Sequence, residues 1–117
     1  MNKEPIVVTP DNSTSHKFIN EITGLPWYEH FLAEDSDTGM LVKLVKHPPG
    51  VVTPMHTHHC AHGNFILKGT LKTNFGDYTA GTFVWFPEGC EMEHGAPDNE
   101  ECIFLFITNK EFDINFI

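Results

Sequence analysis

Residues 50–69 read GVVTPMHTHHCAHGNFILKG, and the rest of the chain is best read outward from them. Residues 51–58 make one extended segment and residues 63–67 another, and Lys68-Gly69 turns the chain. Upstream, residues 27–32 and 40–45 are two apolar runs separated by the polar turn 34–39, a hairpin signal, and His47-Pro48-Pro49-Gly50 stops the second run. Downstream, residues 70–75 lead to a turn at Gly76-Asp77. Residues 81–86 are strongly β-prone and end at Pro87-Glu88-Gly89. Residues 102–108 are an almost continuous apolar run, short enough for a core strand, and residues 112–117 add a last strand. No helix of normal length is predicted, and at most one helical turn around residues 15–22. Many short strands at close intervals predict an all-β chain: a sandwich, a jelly roll or a small barrel.

The chain has 117 residues, 40% of them hydrophobic, which suits one domain and not two. Residues 1–24 are expected to form an N-terminal arm, mobile or paired as an edge strand, and residues 25–117 a single domain. No apolar run approaches the length that spans a membrane, and residues 1–17 lack the apolar stretch of a signal peptide. A cytoplasmic location is expected. Seven Lys, no Arg and sixteen carboxylates give a net charge of -9, the wrong sign for a nucleic-acid or anionic-membrane partner. Without Arg there is no bidentate guanidinium clamp for a phosphate or carboxylate. Cys60, Cys90 and Cys102 lack CxxC spacing and do not read as a disulfide framework.

Eight His are an excess for this length, and four lie between positions 56 and 62. In a strand, residues i and i+2 share a face, so His56 and His58 project together while Thr57 points away. A bend at 59–61 lets the next strand return His62 to the same face. His94, just past the Pro87-Glu88-Gly89 turn, joins them if its strand lies alongside. Neutral imidazole is the commonest protein ligand for transition metals, so the four are read as a metal site rather than as surface histidines. His16, His30 and His47 are read as ordinary surface or rim residues. His59, of opposite parity to His58, is read as an outer neighbour of the ligands or exposed.

Here the sequence resembles the cupins. Their first motif, G-x5-H-x-H-x3–4-E-x6-G, is met by Gly50, His56, His58, His62 and Gly69, with His62 where most members carry Glu. Their second, roughly G-x5-P-x-G-x2-H-x3-N, is met by Gly81, Pro87 and Gly89; His94 falls two positions late, and Asp98 stands near the usual Asn. The segment from Asp77 to Gly89 is most similar to the ChrR-type branch, which includes the metal domain of some anti-sigma factors and the dihydroxyacetophenone dioxygenases. The resemblance implies a double-stranded β-helix, or jelly roll, over residues 25–117, with His56, His58, His62 and His94 as ligands. The Glu-to-His replacement is shared with a minority of small four-His cupins, and acetylacetone dioxygenase is a precedent for a carboxylate-free site.

An all-imidazole site leaves a divalent ion its full charge of +2, so it lowers the pKa of a bound water or enol further than a site with a carboxylate does. An ion that prefers six ligands keeps two positions for a bidentate substrate, whereas tetrahedral Zn would be closed and structural. Iron is the metal expected of an enzyme here, with Mn, Zn, Ni and Cu as alternatives. Counting by twos from His62 turns Asn64 and Ile66 inward; Trp85, Glu93 and Cys60 complete the candidate neighbours of the metal or walls of a pocket. Cys60 is read as an outward-facing thiol. The acidic cluster around His94 and the missing Arg favour a small neutral carbonyl or aromatic substrate. The leading expectation is a metal-dependent dioxygenase or related oxidoreductase, and the alternative is a non-catalytic sensing module with structural Zn. A homodimer is expected, because residues 6–8 and 112–117 leave sticky apolar edges.

Overall fold

A computed structural model describes residues 3–9, 11–12 and 14–117. Met1, Asn2, Pro10 and Ser13, part of the expected arm, lie outside the described residues. The described residues form eleven strands and no helix: β1 (Ser15–Ile19), β2 (Pro26–Glu34), β3 (Leu41–His47), β4 (Val52–Thr57), β5 (His62–Lys68), β6 (Thr70–Thr73), β7 (Gly76–Thr79), β8 (Phe83–Phe86), β9 (Met92–Gly95), β10 (Cys102–Thr108) and β11 (Asn115–Phe116). They build two antiparallel sheets, ordered β1-β2-β3-β10-β5-β8 and β11-β4-β9-β6-β7. The architecture is the expected jelly roll. In place of the helical turn expected around 15–22, β1 pairs with β2 from Ser15↔His30 to Ile19↔Pro26, the edge-strand alternative. β7 has no counterpart in the sequence reading, and β9 corresponds to the strand supposed for His94, for which the sequence reading gave no limits.

Alternation decides what each strand buries. β3 and β10 read buried at every other residue, and their inward sets meet between the sheets. Val45, Ile66, Leu71, Ala96, Cys102, Phe104 and Phe106 form the core cluster. The turn between β5 and β6 requires glycine: Gly69 has φ +76°, and a Cβ there would run into the Glu101 carbonyl oxygen. That close approach lets β5 lie against β10, which sets where His62 falls. At the other end of the motif, the Gly50 N–H donates to the Pro97 carbonyl at 2.8 Å, tying the start of β4 to the end of β9.

Candidate metal centre

Five histidine rings form one chain of contacts. His62 and His58 have ring centroids 4.8 Å apart, as do His58 and His56; His56 and His94 stand at 5.1 Å. His94 then meets His47, again at 5.1 Å. Each arrives from a different piece of the fold. β4 carries His56, and His58 follows just past its end. His62 opens β5, and His47 closes β3 in the opposite sheet from His56. β9 carries His94 opposite Thr53, while Met92 pairs with His56; the register shifts between these pairs, with one more residue on β4 than on β9. A bulge of this kind re-aims side chains. With it, β9 turns His94 toward His56 although His94 stands two positions later than the motif spacing.

The hydrogen bonds fix which ring nitrogens are free. His56 Nδ1–H donates to the Pro54 carbonyl at 2.7 Å, and His58 Nδ1–H donates to the Asp113 carbonyl. Each Nε2 then carries a bare lone pair, and both are buried with no hydrogen-bond partner. Both nitrogens of His62, a fully buried residue, lack a partner as well. Unpaired buried polar atoms are uncommon, and three neighbouring imidazoles in that state need a cation or water to complete them. Burial keeps the rings neutral. It pushes His56 down to about 4, with His58 adding to the shift against the opposing Pro54 hydrogen bond. Burial, helped by His58 and His56, takes His62 to about 3. His58 is lowered and His94 well lowered, again first by burial.

These donors suit a borderline transition metal. An ion bonded to imidazole at about 2.1 Å separates two ligating ring centroids by roughly 4.5–5.3 Å, a range that contains the spacings from His62 through His94. The nitrogen atoms themselves are more dispersed: among the described residues, no group of three or more His, Cys, Asp or Glu donors is already gathered as a metal site.

His47 departs from its reading as a surface or rim residue. It is 1% exposed, and its Nε2 lies 3.1 Å from His94 Nδ1, so one of the two rings donates to the other. Burial, then His56, lowers it to about 4. His59 is exposed; its backbone N–H donates to Asp113 Oδ1 at 2.7 Å, and its Nδ1 pairs with Oδ2 of the same carboxylate. His16 is exposed and His30 half-buried.

The other named neighbours divide. Asn64 and Ile66 both point inward and are fully buried, and neither polar atom of the Asn64 amide has a partner. Trp85 instead points out of β8 at 49% exposure. The inward place belongs to Phe86, which stacks on His62 at 5.0 Å and so fixes the parity of the strand. Glu93 sits between Met92 and His94, so alternation turns its side chain away from the histidine face; its N–H donates to Asn74 Oδ1. Cys60 is buried rather than outward-facing, and burial raises its pKa, which keeps it a thiol and a weak nucleophile.

Sequence reasoning missed two charged residues. A cavity of about 450 Å³ is walled by His47, His56, His58 and His94 together with Lys43 and Glu29. Phe104, Phe106 and Phe112 supply apolar wall, and the exposed Ile19, Ile22, Ile114 and Phe116 form apolar lips. The signal was present in β3, where Leu41, Lys43, Val45 and His47 share one parity.

Two antiparallel sheets closed over a histidine cluster define a cupin. Residues 5–111 match the ChrR Cupin-like domain, and the chain belongs to that family. Comparison with curated proteins finds no match. Among solved structures, an RmlC-like cupin protein from Ralstonia eutropha is 16% identical, with a TM-score of 0.80 over 100% of this chain and 78% of that one. The polyketide cyclase RemF from Streptomyces resistomycificus is 18% identical, with a TM-score of 0.72 over 100% and 86%. The complex of Rhodobacter sphaeroides SigE with the anti-sigma ChrR gives 21% identity and a TM-score of 0.63, over 70% of this chain and 44% of that one. This chain thus spans under half the length of that relative. At these identities the likeness is one of fold. Among the described residues, no helix is long and apolar enough to cross a membrane.

Proposed function

We propose that the chain is a metal-dependent cupin oxidoreductase of the dioxygenase kind, acting on a small, neutral carbonyl or aromatic compound of the diketone or hydroxyketone type. The observation that carries this reading is the set of buried, unpartnered nitrogens on His56, His58 and His62, the first two of which wall a largely apolar cavity. His56, His58, His62 and His94 would hold the ion. A divalent ion there, iron in an oxygen-using enzyme, supplies a Lewis acid that favours the ionised form of an enol or of water. The carbonyls of Pro54 and Asp113 orient His56 and His58, and His47 orients His94. The aromatic walls exclude water and favour a flat, apolar ligand.

Elemental analysis of protein purified anaerobically without a His-tag tests this. About one Fe or Mn per chain is expected, with His56→Ala weakening metal affinity at least about tenfold and His62→Glu retuning it. O2 uptake with diketones and hydroxyketones would follow. Membership of the ChrR Cupin-like family favours a second reading, a sensing module with structural metal. Stoichiometric Zn that resists chelation, with no O2 uptake, supports that alternative. A chain with no bound metal sinks both.

We also propose that two copies pair. Ile6, Val7, Ile117, Phe83 and Trp85 are all exposed and apolar, and a second copy would cover part of that surface. Light scattering is expected to give twice the chain mass; a monomer at micromolar concentration sinks the pairing.

A further inference from the structure

Lys43 is 4% exposed, an unusual place for an ammonium. Among the described residues its one hydrogen-bond partner is Glu29, whose Oε2 accepts from Lys43 Nζ at 2.9 Å. The same oxygen accepts from Trp27 Nε1 at 2.9 Å. Three aromatic rings surround the ammonium, with centroids at 4.3 Å for Phe112, 4.9 Å for Phe106 and 5.7 Å for Phe31. Aromatic faces attract a cation but do not replace a directional acceptor. An ammonium has three N–H donors, so two remain beyond the one that Glu29 takes.

Such a pair has no evident structural purpose. Replacing a buried ion pair by packed apolar residues is often neutral or stabilising. Its placement supplies a purpose, because Lys43 and Glu29 wall the same cavity as His56, His58 and His94. Among the described residues that wall the cavity, Lys43 is the one lysine and none is an arginine. A lysine is a point donor and lacks the fork that grips both oxygens of a carboxylate, so it suits a ligand that presents one anionic oxygen to it.

We propose that Lys43 is the ligand-recognising cation of this cavity, and that it receives a phenolate or enolate oxygen of a flat, otherwise apolar molecule. Glu29, held by Trp27, positions the ammonium. This extends the function proposed above: a ketone or phenol that is neutral in water is held in the cavity as its oxyanion. That the ligand's far end meets a metal rests on that earlier reading, whereas the oxyanion site does not.

The probe is 4-nitrophenol, whose yellow phenolate is distinguished by absorbance from its neutral form. Bound to the protein as isolated, its ionisation midpoint is expected to fall by at least about one unit, a tenfold preference for phenolate. In Lys43→Met/Glu29→Gln, which removes both charges together, the midpoint is expected to return by a similar amount. Lys43→Gln/Glu29→Gln is measured beside it, so that the readout survives if Met is not tolerated. An unshifted midpoint in the wild type overturns the proposal, as does an equal midpoint in wild type and a folded variant. Metal content is assayed on every sample. Bound metal without phenolate preference removes the oxyanion site and leaves the metal centre standing; phenolate preference without metal does the reverse.

Discussion

Acidifying the metal-free protein from pH 7 to pH 5 is expected to remove a large share of its stability. Burial lowers His47 and His56 to about 4 and His62 to about 3, whereas the unfolded chain takes up protons on these residues near 6.5. In that window the unfolded state binds more protons, so stability is complete above about pH 6.5 and is lost as the pH falls. At pH 5 each of the three contributes a loss of about 2 kcal/mol, or about 6 kcal/mol together, against a total of about 5–15 kcal/mol for an ordinary domain. His58 and His94, lowered in the same direction, add to the loss. Thermal melts at half-unit pH steps read it directly. A bound divalent ion competes with protons for the same lone pairs, so the loaded protein keeps its stability to lower pH. An apoprotein whose Tm is flat from pH 7 to pH 5 contradicts the burial of these rings as neutral imidazoles.

Lys43→Met alone is expected to cost about 3–5 kcal/mol, because it strands the Glu29 carboxylate in a site that is 8% exposed. For a domain of this size that is a Tm loss on the order of 10–20 °C. Lys43→Met/Glu29→Gln removes both charges and is expected to recover most of the loss, since Gln still offers an oxygen to Trp27 Nε1. Denaturant unfolding of the two single variants and the double completes the cycle. Additive losses across it would mean that Lys43 and Glu29 act independently, and that the 2.9 Å contact contributes nothing.

Much of the fold can be read from punctuation alone. Gly and Pro at 48–50, 69, 76, 81 and 87–89 separate the strands, and the alternation of β3 and β10 assigns their inward faces. β7 and β9 escape such a reading for a physical reason. GDYT and MEHG are four residues each and have no apolar alternation; they are strands because β6 and β4 offer them hydrogen-bonding partners. The late spacing of His94 is likewise absorbed by a register shift that only the neighbouring strand reveals. Lys43 and His47 teach a related lesson. Their parity in β3 put them with Leu41 and Val45, but residue type argued for the surface, and only the histidines and aromatics facing them make burial tolerable. In β8 the sequence reading put Trp85 toward the pocket, but Phe86 pairs opposite His62 and takes the inward place, leaving Trp85 outside.

The contact between His58 and Asp113 joins residues 55 positions apart, and β11 pairs with β4 across a similar interval, at Thr57 and His56. During synthesis His58 therefore leaves the ribosome well before the Asp113 carbonyl that orients it, whereas the Pro54 carbonyl that orients His56 precedes it. Until residue 113 has emerged His58 lacks its acceptor, and loop closure over that distance is slow compared with local pairing. The orientation of His58 is in this sense a non-local property, tied to the docking of residues 113–116 rather than to the formation of β4.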